Sequence, residues 1–345
     1  MTRDNDLRDV PPDEALKMYL QQKEQDCSKN TVNSHASRLS FFVDWCENEV
    51  QYLHELDGYD LQRYRLDRFG GDYSDYTIKG QLHTLRVFLR YCESIEAVKQ
   101  GLSEKVQVPD EVAGTSQRGK VIEHDRATRI LEYLDKYEYA TQTHVCCHLM
   151  WYSAIRVGTI HSIDVEDLDL DEGQIRIRHR PEEDTRLKNG AEAERVIAVR
   201  PETVSLLSDY IGTHRHEVQD DHGREPLITT EHGRAWRKTI RNWSYGATRP
   251  CLLSGECPHG RELDECDAAV NVNKAYDCPD AESTHAWRRG SISWHLREGT
   301  SKTVVGDRAN VSPGVLERHY STLSEEEKAE LRRGKLPGGR QKEND

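Results

Sequence analysis

Apolar positions recur at intervals of three and four along most of the chain. Between Asp13 and Gln22, Ala15, Leu16, Tyr19 and Leu20 share one helical face. Ser28 to Thr31 has the residue types of a helix cap, and Val32, Leu39, Phe42, Val43 and Cys46 then follow at helical spacing. Asp60–Arg68 predicts a shorter, arginine-rich helix. Ser74–Cys92 predicts a long one, with Ile78, Leu82, Leu85, Phe88 and Leu89 in register. No strand alternation interrupts this block, so residues 13–100 read as a helical domain. Residues 101–121 mix Gly, Ser, Gln, Pro and Val without period and predict a linker.

A second pattern begins near Ile122. Arg126–Tyr137 and Ala140–Ile155 are helix-like, and Pro201–Ile211 opens with proline where a helix tolerates it. Gln174–His179 and Arg195–Val199 alternate as strands, which predicts a small β-hairpin inside a mostly helical domain. Lys238–Tyr245, His285–Arg297, Lys302–Arg308 and Ser312–His319 predict further helices. Residues 246–283 are irregular, residues 323–345 form a charged tail, and Glu325–Arg333 carries a helical pattern. The expected fold is mainly α, with residues 122–322 as the second domain.

Composition narrows the function. The 345 residues are 35% hydrophobic and 32% charged, with mean hydropathy -0.84. The longest apolar run, Val145–Ile155, is interrupted by His148 and is too short to span a bilayer. The first residues lack a hydrophobic signal segment, so a cytoplasmic location without a membrane partner is expected. Acidic residues outnumber basic ones 61 to 48, for a net charge of -13. Taken alone, that balance opposes nucleic-acid binding. However, 33 of the 48 cations are arginine, and residues 285–345 hold 12 basic against 9 acidic side chains. Abundant carboxylates with scarce lysine suit a halophilic cytosol of high salt.

Nine cysteines in such a chain do not predict a disulfide framework. Cys27, Cys46, Cys92, Cys146 and Cys147 fall in helix-like segments and are expected in cores. Cys251, Cys257, Cys266 and Cys278 cluster in the irregular stretch. Four thiolates can hold a structural zinc tetrahedrally, with His259 as an alternate ligand, although no C-x2-C knuckle is present. Every metal position would then be filled, which leaves none for catalytic water.

The stretch that carries chemistry begins at His285. His285 and Arg288 lie one helical turn apart, where a guanidinium can fork onto phosphate oxygens while an imidazole moves a proton. Arg156 stands upstream at a helix end, Lys188 lies between the two strands, and Tyr320 ends the last helix. This order of Arg, Lys, H-x-x-R and Tyr resembles the tyrosine recombinases, the phage integrase and Xer-like family. His285, Arg288, His295, Leu296 and Gly299 fall on the spacing of the family's second box, with Trp287 at its usual apolar position. The acidic balance and the cysteine cluster resemble the branch found in halophilic archaea.

The resemblance implies a SAM-like core-binding domain over 13–100 and a catalytic domain over 122–322 that carries the insertion 246–283. It implies a site-specific recombinase or integrase that cleaves and rejoins double-stranded DNA through a 3′-phosphotyrosyl link on Tyr320. Arg156 and Arg288 would stabilise the transition state, Lys188 would protonate the leaving oxygen, and His285 would manage the tyrosine proton. No cofactor or ATP is needed for that chemistry, and four protomers would join two sites. DNA contacts are expected from Lys29, Arg38, Lys79, Arg86 and Arg90 in the first domain, and from Arg195 and Arg289 in the second, the two domains closing on the duplex as a clamp.

Two positions depart from the family. Thr159 stands where an acidic residue braces the site, and the Gly-His pair before the nucleophile is missing. Asn310 is its counterpart by spacing, a neutral donor, and His319 is a second candidate phosphate contact. These departures leave open an alternative reading, a catalytically impaired DNA-binding regulator or architectural protein on the same fold.

Overall fold

The computed structural model describes residues 7–71, 73–109 and 120–321, together with Ala329 and Arg333; for residues 318–321 only the helical path is described. The predicted tail and its helix at Glu325–Arg333 therefore lie essentially outside the described residues. The chain divides into two compact units, residues 1–118 and 119–345.

The first unit is built from four helices: α1 (Pro12–Asp26), α2 (Lys29–Cys46), α3 (Gly58–Phe69) and α4 (Asp75–Ser94). Side-chain caps start three of them. Ser28 accepts from the Thr31 amide, Ser74 from the Thr77 amide, and Asp57 forms a reciprocal box with Asp60. Their apolar faces close over Tyr19, Leu39, Phe42, Tyr64, Leu82 and Phe88. The expected linker is shorter than its composition indicates. Leu102 and Val106 are buried in this core, and the Ser103 amide donates to Glu93 at 2.6 Å. Residues 110–119 lie outside the described residues.

The second unit is assembled around α6 (Gln142–Ser153), which is buried along most of its length. The helices α5 (His124–Tyr137), α8 (Pro201–Thr213), α9 (Arg237–Thr248) and α12 (Thr284–Arg297) pack on it. The predicted helix over 140–155 breaks where Ala154 takes a left-handed conformation, φ 52°. A short α7 (Val157–Ser162) then follows in a new direction. A third strand extends the hairpin into a three-stranded antiparallel sheet. β1 (Leu168–Asp169), β2 (Gln174–Ile177) and β3 (Arg195–Ala198) lie in the order β1-β2-β3, with Ile175 opposite both Leu168 and Ile197. A strand of two residues shows no alternation, so β1 left no mark in the pattern. The same holds for β4 (Thr229–Thr230) and β5 (Gly233–Arg234).

The insertion contains two short helices, α10 (Pro250–Ser254) and α11 (Asp267–Val270). Beyond α12, α13 (Lys302–Ala309) and α14 (Pro313–Ser321) pack on it through Leu296, Val305, Ala309 and Leu316. No helix among the described residues is long and apolar enough to cross a membrane.

Candidate active site

The site is assembled where α6, α12 and α13 meet. α12 reaches its depth because residue 290 is glycine. A Cβ there would stand 2.1 Å from the Ile122 carbonyl oxygen and 2.9 Å from the Trp151 ring. With that close approach, Arg288 sits 6% exposed beside the end of α6. Its guanidinium donates to the carbonyls of Ala154 and Ala309. The left-handed turn at Ala154 aims one of those carbonyls, and Arg156, the N-cap of α7, follows two residues later.

Two more arginines join them. Arg195, at the start of β3, donates twice to the Arg308 carbonyl, at 3.2 and 3.0 Å, and once to Ala193 at 2.8 Å. Arg308 donates to the carbonyls of Tyr152 and Ala198. Burial, then the neighbours Arg156 and Arg195, pull the Arg288 guanidinium down to about 9. Burial, then Arg156 and Arg308, take Arg195 to about 10. Burial also lowers Arg156 and Arg308. All four stay charged at neutral pH, and among the described residues no carboxylate acts on any of them. Carbonyl dipoles solvate these cations without neutralising them, so the cluster has the charge to accept an anion.

His285 opens α12 on the same side. It remains solvent-accessible, yet desolvation, followed by Arg288, Arg289, Lys188 and Arg156, holds its imidazole below the ordinary histidine range. The neutral form is therefore favoured, which can accept a proton. That influence also places Lys188 near the cluster. Lys188 is exposed on the connection between β2 and β3, next to the buried Leu187. Arg237 holds this connection by donating to the Arg186 carbonyl at 3.1 Å. Its base is fixed by buried ion pairs, in which Asp164 meets Arg180, Arg224 and Arg234 at 3.1, 3.2 and 2.5 Å.

Thr159 is buried, and its amide donates to the Arg156 carbonyl at 2.8 Å. Among the described residues, Arg288 is held by the Ala154 and Ala309 carbonyls and not by a carboxylate. Asn310, the left-handed cap of α13 at φ 48°, accepts a hydrogen bond from Asn189 at 3.1 Å. Arg289 reaches the Lys120 carbonyl at 3.4 Å. Tyr320 lies in the last turn of α14. The side chains of Tyr320 and His319 are outside the described residues.

The remaining candidates differ in setting. Lys29 and Arg90 are exposed on α2 and α4, and Lys79 is half-buried on α4. Arg38 is exposed and donates to Thr84 at 3.3 Å. Arg86 is turned inward instead, where it donates to the Val106 carbonyl at 2.6 Å. Sequence reasoning missed Arg308, Arg237 and Asn189, and treated Arg195 only as a DNA contact. A cavity of about 450 Å³ beside the sheet is lined by Glu166, Asp167, Asp169 and Asp171, a poor place for a phosphate.

The expected zinc centre is not formed. The four cysteines and His259 do line one small cavity. Among the described residues, however, no group of three or more His, Cys, Asp or Glu side chains is arranged to hold a metal ion. His259 is engaged with Asp280 at 2.9 Å, and Cys266 caps α11 beside Arg261. The spacing is the physical reason. Without a C-x2-C pair, no two thiols share one local turn: Cys251 lies on α10, Cys266 caps α11, and Cys257 and Cys278 lie on other connections.

Residues 120–250 match the Phage integrase family. The Tn1549 transposon integrase, solved in complex with transposon right end DNA, aligns over 93% of this chain and 99% of its own at TM-score 0.65 and 13% identity. A lambda integrase dimer bound to a COC′ core site aligns over 89% of this chain and 94% of its own, at TM-score 0.62 and 11% identity. These likenesses show the fold. The N-terminal domain of a phage integrase/site-specific recombinase from Haloarcula marismortui is 36% identical over 29% of this chain and 97% of its own, at TM-score 0.29. No curated protein matches. The chain belongs to the phage integrase family, the tyrosine recombinases.

Proposed function

We propose that the chain is a site-specific DNA recombinase that breaks and rejoins strands through Tyr320. The observation that carries this reading is the arginine cluster of the second unit, four desolvated cations in a chain of net charge -13 with no carboxylate among them. A scissile phosphate is the anion that such a cluster suits.

In this mechanism, Arg156 and Arg288 hold the non-bridging oxygens, with Arg195 behind them. The phenolic oxygen of Tyr320 attacks phosphorus as neutral His285 takes its proton. The bond from phosphorus to the 5′-oxygen breaks, and Lys188 supplies the proton to that oxygen. A 3′-phosphotyrosyl link conserves the bond energy, so rejoining reverses the same steps without ATP. Charge growing on the five-coordinate phosphorus is met by donors already fixed in place. Asn310 would offer the phosphate a neutral donor in place of the family's histidine.

The DNA partner engages both units, with the exposed Lys29, Arg38 and Arg90 reaching its backbone from the first. Integrases of this fold have been solved as a dimer on a core site and a tetramer on a Holliday junction. We extend that assembly, four protomers on two sites, to this chain in a salt-rich cytoplasm. Nicked DNA that releases a short fragment on cleavage tests the reading. The wild type should become covalently attached, and Tyr320→Phe should bind DNA without attachment. Binding without attachment by the wild type would establish the DNA-binding regulator instead.

A further inference from the structure

The connection that carries Lys188 has a tether that the proposed mechanism does not use. Leu187, 2% exposed, anchors it to the core on one side of Lys188. On the other side, the Asn189 amide donates to Asn310 at 3.1 Å. Lys188 itself makes no hydrogen bond or ion pair among the described residues.

Asn310 is a well-fixed partner. Its own amide closes the end of α13 on Asp307 at 3.2 Å, and the next amide, of Val311, bonds Gly306 at 3.0 Å. The two carbonyls immediately before it, those of Arg308 and Ala309, are held by Arg195 and Arg288. Three residues beyond it the chain enters α14, which carries Tyr320. The turn 308–310 thus joins the phosphate-binding arginines, the helix of the nucleophile and, through Asn189, the loop of the acid.

We propose that Asn189 is a positioning residue, whose bond to Asn310 brings Lys188 to the leaving oxygen when the turn ahead of α14 is in place. The pair assembles the acid and the nucleophile together. A lysine on an exposed connection samples many rotamers, and fixing its backbone on both sides restricts where its ammonium group can reach. This inference rests on Lys188 as the general acid.

The test uses two nicked DNAs, alike except that one has sulfur in place of the 5′-bridging oxygen at the scissile phosphate. A thiolate departs without being protonated, so that substrate bypasses the acid. Lys188→Ala should slow cleavage of the oxygen substrate on the order of a hundredfold or more and lose most of that defect on sulfur. Asn189→Ala should slow the oxygen substrate on the order of tenfold, with DNA affinity unchanged, and likewise recover on sulfur. Asn189→Ala combined with Asn310→Ala should recover no less on sulfur than Asn310→Ala alone. If Lys188→Ala recovers but Asn189→Ala is equally slow on both substrates, or is not slow at all, the tether is overturned. If Lys188→Ala itself fails to recover, the acid assignment falls and takes the tether with it.

Discussion

The arginine cluster and the cysteine-rich insertion belong to the same unit and are built in opposite ways. Around the cluster, Trp151, Trp287, Ile155 and Ile292 are all buried, and every guanidinium donates to fixed carbonyls or stands beside one that does. Across residues 249–280, by contrast, only Ala268 and Ala275 are buried. Val270, Val272 and Tyr276 are exposed there at 62%, 43% and 53%. What orders the insertion is polar: Arg249 bonds the Ala268 carbonyl at 2.5 Å, Lys274 meets Asp267 at 2.5 Å, and Asn242 bonds Asn273 at 3.0 Å. Of these, the exposed Lys274–Asp267 pair contributes little to stability, and the other two are single part-buried hydrogen bonds. Uncompensated charge is thus placed where packing is dense enough to hold it, and the four clustered cysteines where packing is thin.

The largest expected difference between the two regions is catalytic. On the proposed mechanism, Arg288→Ala should lower the cleavage rate on the order of a hundredfold or more, because there it removes a donor to the transition state. Cys251→Ser should leave that rate within about twofold, as a surface substitution away from the chemistry does. Single-turnover cleavage of nicked DNA measures both. A cysteine variant as slow as the arginine variant would erase the distinction between the regions. Next comes stability. Gly290→Ala forces a methyl group against the Ile122 carbonyl and should cost about 3 kcal/mol or more by denaturant titration. Gly260→Ala, at φ 65° with open space around its Cβ position, should cost about 1 kcal/mol.

The same contrast decides what could be read from the residues alone. The helices of the first unit were legible because period and Ser caps agree. Arg156, His285 and Arg288 were legible because their spacing is local. The partners of Arg195 and Arg308 were not, since a carbonyl receptor leaves no residue type behind: any residue can supply the carbonyl. The break at Ala154 was hidden because alanine favours continuing a helix, and only tertiary packing fixes the left-handed turn. Asn189 lies between the two strands, and its partner Asn310 is 121 residues away, so no local pattern marks the pair. In the insertion the residue types were plain and the four thiols do come to line one cavity, but a metal site also needs side chains directed at one point, which their spacing does not encode. Leu102 and Val106 were lost in a stretch too short to show a period.

Acid should distinguish the regions next. His148 and His161 are buried in the second unit and His295 is half-buried there, and burial is the main cause that holds their imidazoles at about 3, 4 and 4. His161 donates to the Ala235 carbonyl and His295 to that of Tyr152. The unfolded chain takes up these protons below its pKa of about 6.5, while the folded chain does not. Their contribution is therefore complete above that pH and is lost as pH falls from 6.5 towards the folded values. The expected slope is up to about 1.4 kcal/mol per pH unit for each histidine. Urea titrations across that window measure it. A flat profile would mean that these rings are charged in the native state.

The smallest effect is local opening. Amide hydrogens exchange through the cheapest fluctuation that exposes them, and the cost of that fluctuation follows the apolar surface that must be uncovered. In α6 and α12 that surface includes Trp151, Trp287 and Ile292, so their central amides should exchange only through global unfolding. In residues 249–280 the apolar surface to be uncovered is small, mainly Ala268, Ala275 and the half-buried Leu253, together with a few polar bonds. Amides there should exchange by local opening, orders of magnitude sooner, with rates insensitive to Gly290→Ala, which destabilises the core alone. Exchange followed by peptide mass spectrometry, with and without a strong chelator, makes the comparison. Protection of the insertion equal to that of α12, and lost on chelation, would mean that a bound metal orders the thiols into an arrangement they lack here, and that the thinly packed region has its own source of stability.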